Sequence, residues 1–158
     1  MSHGETSTTP TPQVDLGDPQ LTATINDGLV EQLLRAELSG GEDFITDKVQ
    51  HLAVAGGKRF RPMFALLASQ FGPHWQSDKV VQAAVVVEMI HLATLYHDDV
   101  MDEADKRRGV PSANARWDNS MAILAGDFLL AQASRIMAEL GTDTVSHFAD
   151  TFGTLVTG

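Results

Sequence analysis

The chain has 158 residues, 43% hydrophobic and 20% charged, enough apolar material for one globular core. It contains no cysteine, which excludes disulfide scaffolds, thiolate metal sites and cysteine nucleophiles. The formal net charge is −10, from 21 acidic and 11 basic residues, the reverse of the balance carried by nucleic-acid-binding domains, so no nucleic-acid partner is expected.

Residues 1–17 are rich in Ser, Thr and Pro and poor in apolar groups. They cannot bury enough surface to offset the entropy of ordering, and a disordered tail is expected. From Asp18 to Gly158 the pattern is helical, and no alternating run predicts a strand. Asp18-Pro19 opens a first helix carrying Leu21, Ile25, Leu29, Leu33 and Leu34, which Gly40-Gly41 ends. A second carries Phe44, Ile45, Val49 and Leu52 and stops at Gly56-Gly57. A third starts near Pro62, with Phe64, Leu67 and Phe71 as its stripe. Ser77 caps a long fourth helix reaching about Asp102, apolar on most sides between Ala83 and Tyr96 and therefore central. Asn119 or Ser120 caps a fifth over Met121–Leu140, and Asp143 a sixth still running near Thr157. The expected fold class is all-α, an antiparallel helical bundle with short connections. The uninterrupted apolar runs, Ala83–Val87 among them, are far short of the roughly 20 residues of a membrane span. With no basic, then apolar, leader at the start, a cytoplasmic location without a membrane anchor is expected.

The charges are unevenly placed. Lys58, Arg59 and Arg61 follow a double glycine, and Lys106, Arg107 and Arg108 precede Gly109, so six of the eleven basic residues fall in two clusters. Between them lie Asp98, Asp99, Asp102, Glu103 and Asp105. Asp98 and Asp102 are four apart and share a helix face, with Cβ atoms about 6 Å apart. Such a pair suits Mg²⁺, which takes few protein carboxylates and completes its octahedron with water and phosphate oxygens. Asp99 points about 100° away around the axis. At a helix C-terminus these acids oppose the macrodipole, a cost that bound cations would offset. Lys58, Arg61 and the amides of a helix start make an anion site, with Phe60 as an apolar anchor between them. Two cationic clusters flanking one carboxylate face suit two anionic substrates held side by side.

GGKRFRP (56–62) and HDDVMDEADKRRG (97–109), with PSANARW (111–117) and ILAGDFLL (123–130), resemble the N-terminal half of trans-type polyprenyl diphosphate synthases. The resemblance covers roughly residues 20–158 and implies an isoprenoid-synthase-like helical fold, incomplete at its C-terminus. It further implies Mg²⁺-assisted ionisation of an allylic diphosphate and its condensation with isopentenyl diphosphate. By resemblance Asp98 and Asp102 ligate Mg²⁺, with Asp99 beside them. Lys58, Arg61 and His91 match the isopentenyl diphosphate site, Arg107 the allylic diphosphate contact, and Arg108 a further isopentenyl diphosphate contact. His91 lies two turns before Asp98 on the same face.

The growing prenyl tail should run down the fourth helix past Thr94, Ile90 and Val87. Short-chain members of the family tend to carry bulky aromatics four or five residues before the first aspartate. Here Thr94 and Ala93 stand there, and a product longer than C20 is expected. The family's second aspartate-rich motif is absent, Asp150 being the only acid after Asp143. The chain therefore reads as the N-terminal part of a longer enzyme, inactive alone and exposing an apolar helix face. The family usually forms homodimers, and a homodimer is expected. The rival readings are a non-catalytic partner subunit of a heteromeric prenyltransferase, a helical interaction module, and a class I terpene cyclase. GGKRFRP argues against the last, because such cyclases lack an isopentenyl diphosphate site.

Overall fold

The computed structural model describes Pro19 and residues 28–55, 59–75, 77–106 and 113–158. Among these, the elements are six helices: α1 (Leu29–Leu38), α2 (Asp43–Ala55), α3 (Phe60–Ser69), α4 (Asp78–Lys106), α5 (Ala113–Leu140) and α6 (Thr142–Thr157). The all-α bundle expected from the pattern is the fold observed. The predicted tail, and Leu21 and Ile25 of the first helix, lie outside the described residues.

The two long helices form the centre. Gln82 Nε2 donates to Glu139 Oε2 at 3.3 Å near one end of the pair, and His97 meets Gly126 toward the other, so α4 and α5 run antiparallel. Against α4 pack α1 and α3; against α5 pack α1, α2 and α6. Ala84, Val85, Met89 and Ala93 of α4 and Ala125, Leu129 and Ala133 of α5 are wholly buried, joined by Leu34 and Leu38 of α1 and Val49 of α2. Burying each large side chain stabilises the fold by about 1.5–3 kcal/mol. The alanines among them let the helix axes approach closely.

By length and composition alone, Asp78–Asp102 and Asp118–Leu140 are long and apolar enough to cross a membrane. Counting uninterrupted apolar residues missed this, because single polar residues such as Gln82 and Glu88 break the run. Here both helices face each other as the core pair, which gives their hydrophobicity a packing explanation.

The helix ends depart from the pattern in several places. The described α1 begins at Leu29 after Gly28, whose φ is 75°. It ends at Leu38, with Ser39 rather than a left-handed glycine as its cap. Gly41 serves a steric purpose instead: a Cβ there would lie 2.8 Å from Phe128 Cε2, so its bareness lets the α1–α2 turn sit against α5. The third helix starts two residues early, at Phe60, leaving Pro62 within the first turn, where no intrahelical amide bond is required of it. Its buried residues are Pro62 and Leu66; of the expected stripe Leu67 packs against the core, whereas Phe64 is half exposed and Phe71 is 98% exposed. The fifth starts at Ala113, eight residues before the expected start, since Asn119 and Ser120 sit inside a helix rather than capping one. Gly141, not Asp143, precedes the sixth, and no side chain caps it.

α6 has no buried residue. Phe148 leans on the core and stacks on Phe152 at 5.4 Å, while Val145, Leu155 and Val156 are exposed. These residues give α6 an exposed apolar surface.

Candidate functional site

α4 continues one turn beyond Asp102, to Lys106. Asp98 therefore lies inside the helix, beyond the last-turn range of the macrodipole, and the electrostatic cost expected of acids at a helix end is smaller than the pattern implied. Asp98, Asp99 and Asp102 are all exposed. Among the described residues, no three His, Asp or Glu side chains gather as a closed metal cage. Two open carboxylates on one face fit Mg²⁺, which keeps several waters and takes phosphate oxygens, better than they fit an ion demanding an all-protein shell.

His91 is half buried one face-repeat earlier on the same helix. Burial and then the charge of Arg61 hold its imidazole below the ordinary histidine value, while Glu88 and Asp98 pull the other way. Arg61 of α3 and Asp98 of α4 thus both act on this imidazole, in opposite senses. Lys58, Arg107 and Arg108 lie outside the described residues. Because the folded-state value of His91 is depressed, the unfolded chain binds its proton first as pH falls. The contribution is complete above the unfolded value of 6.5 and is lost as pH drops below it. His91→Gln is expected to flatten the fall in thermal midpoint between about pH 6.5 and pH 5. A melting series of both proteins across that range checks it, and parallel slopes would refute it.

Of the positions expected to bear on chain length, Thr94 and Ile90 are half buried and Val87 nearby is exposed, whereas Ala93 is wholly enclosed in the helix packing. The Thr94 hydroxyl donates to the His91 carbonyl at 2.7 Å. One residue before the first aspartate, His97 Nε2 lies 3.3 Å from Asp127 Oδ1 and 3.4 Å from the Ile123 carbonyl. Its ring occupies the space beside Gly126, where any Cβ would collide with it.

Phe60 does not anchor its loop: it is 56% exposed and meets the edge of Phe64 at 4.6 Å on the outer surface. Arg59 is the anchor. It has φ 50°, the only positive φ at a non-glycine among the described residues, a conformation costing about 1–2 kcal/mol for an L-residue. Its Nη1 donates to Glu88 Oε1 at 3.1 Å, and its Nε donates to Glu31 Oε1. Burial alone would lower the guanidinium pKa; the hydrogen bond and charge of Glu31, and then Glu88, raise it above its usual value. Glu88 is only 3% exposed. Sequence reasoning grouped Arg59 with its neighbours as one more loop cation. The signal that could have separated it is Glu88 itself, a carboxylate inside an otherwise apolar stretch of α4, which must find a cation.

The long central helix α4 thus presents Asp98 and Asp102 on one face, and α3, which carries Arg61, packs against the same helix. The chain belongs to the polyprenyl synthetase family, whose model matches residues 42–158. Nonaprenyl diphosphate synthase of Mycobacterium tuberculosis is 56% identical over 147 residues, covering 92% of this chain and 44% of that protein. Geranylgeranyl pyrophosphate synthase from Corynebacterium glutamicum, solved with calcium and isoprenyl diphosphate, superposes with a TM-score of 0.80 at 68% identity. That match covers 91% of this chain and 44% of the solved one. Heptaprenyl diphosphate synthase component 2 of Geobacillus stearothermophilus is 44% identical over 112 residues, 71% of this chain and 35% of that protein. The chain thus spans less than half the length of the relatives it matches.

Proposed function

We propose that the protein carrying this sequence is a prenyltransferase of the cytoplasm that condenses isopentenyl diphosphate with an allylic diphosphate, giving a product longer than C20. The observation that supports the reading is the packing of α3, which carries Arg61, against α4, which carries His91, Asp98 and Asp102, within a chain whose family match spans residues 42–158. Asp98 and Asp102, with Asp99 alongside, would hold Mg²⁺; bound there, the ion neutralises charge developing on the departing allylic diphosphate. Arg107 would grip that same diphosphate. Lys58, Arg61, His91 and Arg108 would orient isopentenyl diphosphate so that its double bond faces the allylic carbon. Proximity supplies much of the rate, since two small anions lose their freedom on binding rather than at the barrier. The calcium and isoprenyl diphosphate named with the Corynebacterium structure support a divalent cation and this substrate class.

Product length is read from Thr94, half buried on the Asp98 face of α4, rather than from Ala93, which the packing encloses. Thr94→Phe is expected to shorten the product by at least one five-carbon unit while leaving the fold intact. Chromatography of products from full-length protein, labelled isopentenyl diphosphate and Mg²⁺ tests both statements. A wild-type product stopping at C20, as the name of the Corynebacterium relative would suggest, overturns the length reading; no transfer at all overturns the activity. A homodimer is the expected assembly. The match to a protein named as component 2 favours a heteromeric one as the second reading, and mass measurement in solution separates them.

A further inference from the structure

We infer that Arg59 is a positioning residue that sets Arg61, a cation proposed above for isopentenyl diphosphate, against α4, an inference resting on the function proposed above. Three features place it in that role. Its backbone sits in the left-handed region at the first residue before α3, between Lys58 and Arg61. Its guanidinium joins two helices, bonding Glu88 of α4 at 3.1 Å and Glu31 of α1. Glu88 in turn lies three residues before His91 and acts on its imidazole. The guanidinium fork therefore ties the residue that precedes α3 to the helix that carries His91 and Asp98. A lysine, with one compact ammonium, could not span both carboxylates in the same way.

Glu31 is the handle for the test, because its removal leaves Arg59 still neutralised by Glu88. Its other ion pair, to the exposed Arg35 at 3.8 Å, is a surface contact of little energetic weight. In full-length protein, Glu31→Gln and Arg59→Lys are each expected to raise the KM for isopentenyl diphosphate about tenfold, leaving that for the allylic diphosphate within about twofold. The thermal midpoint should stay within a few degrees of wild type. Hydrogen exchange supplies a readout independent of turnover. The Met63 amide donates to the Arg59 carbonyl at 3.1 Å, and in both variants it should exchange about tenfold faster than in wild type.

A specific rise in the isopentenyl diphosphate KM with faster Met63 exchange supports the inference. Equal rises in both KM values, or none, overturn it, and so does unchanged exchange. If wild-type protein transfers no prenyl group while Met63 exchange still responds, the functional reading fails and the clamp survives only as a structural one. If the wild type is active and neither variant moves either readout, the clamp fails alone.

Discussion

Asp98→Asn and Asp102→Asn in the full-length protein are each expected to lower kcat by about a thousandfold, the effect of losing the electrostatic partner of a developing diphosphate anion. The two carboxylates are four residues apart on a helix that continues past them, so their common face is set by backbone geometry rather than by a loop. The amide keeps the size of the carboxylate and removes its charge, so the fold should be undisturbed; all three aspartates are exposed. Asp99→Asn is the internal control. Its side chain points about 100° around the axis, and a loss of less than about tenfold is expected. Steady-state rates against Mg²⁺ concentration, with chelation of the wild type alongside, check the set. Wild-type-like rates in Asp98→Asn, or an Asp99→Asn defect as deep as the other two, would remove these residues from the role.

The largest expected effect on stability belongs to Arg59→Ala, about 3–5 kcal/mol, since it strands Glu88 at 3% exposure without its cation. The alanine would also inherit a left-handed backbone, which is strained for an L-residue. Adding Glu88→Met should recover most of the loss, because a buried ion pair exchanged for apolar groups of similar volume is near neutral. Urea unfolding midpoints of the two variants and the wild type measure this. A single variant within about 1 kcal/mol of wild type, or a double variant no better than the single, would show that the pair does not hold α1, α3 and α4 together.

Much of this molecule was legible from residue order. The centrality of α4 followed from apolar residues on most of its sides; the pattern marked α5 as a helix but not as the partner of α4, a pairing that only the packing of Ala125, Leu129 and Ala133 shows. The aspartate ridge followed from a four-residue spacing that any helix converts to a shared face. Helix ends were less legible, because Asn119, Ser120 and Asp143 are as compatible with a helix interior or first turn as with a cap. The face of α3 was partly misread because Phe64 and Phe71 suggested burial by size, whereas Pro62 and Leu66 occupy the contact with the bundle. Arg59 stayed hidden for a tertiary reason: its partners lie 28 and 29 residues away in opposite directions along the chain, beyond any local pattern.

The seating of His97 against Gly126 constrains how the two long helices can move. An imidazole lodged where only a hydrogen fits, with Asp127 beside it, acts as a peg in a notch. Sliding α4 along α5 by a turn would drive that ring into a side chain. A one-turn shear between them is therefore opposed at this crossing. Asp98 follows the peg by one residue, so the start of the aspartate ridge is held in register against α5 by the same contact.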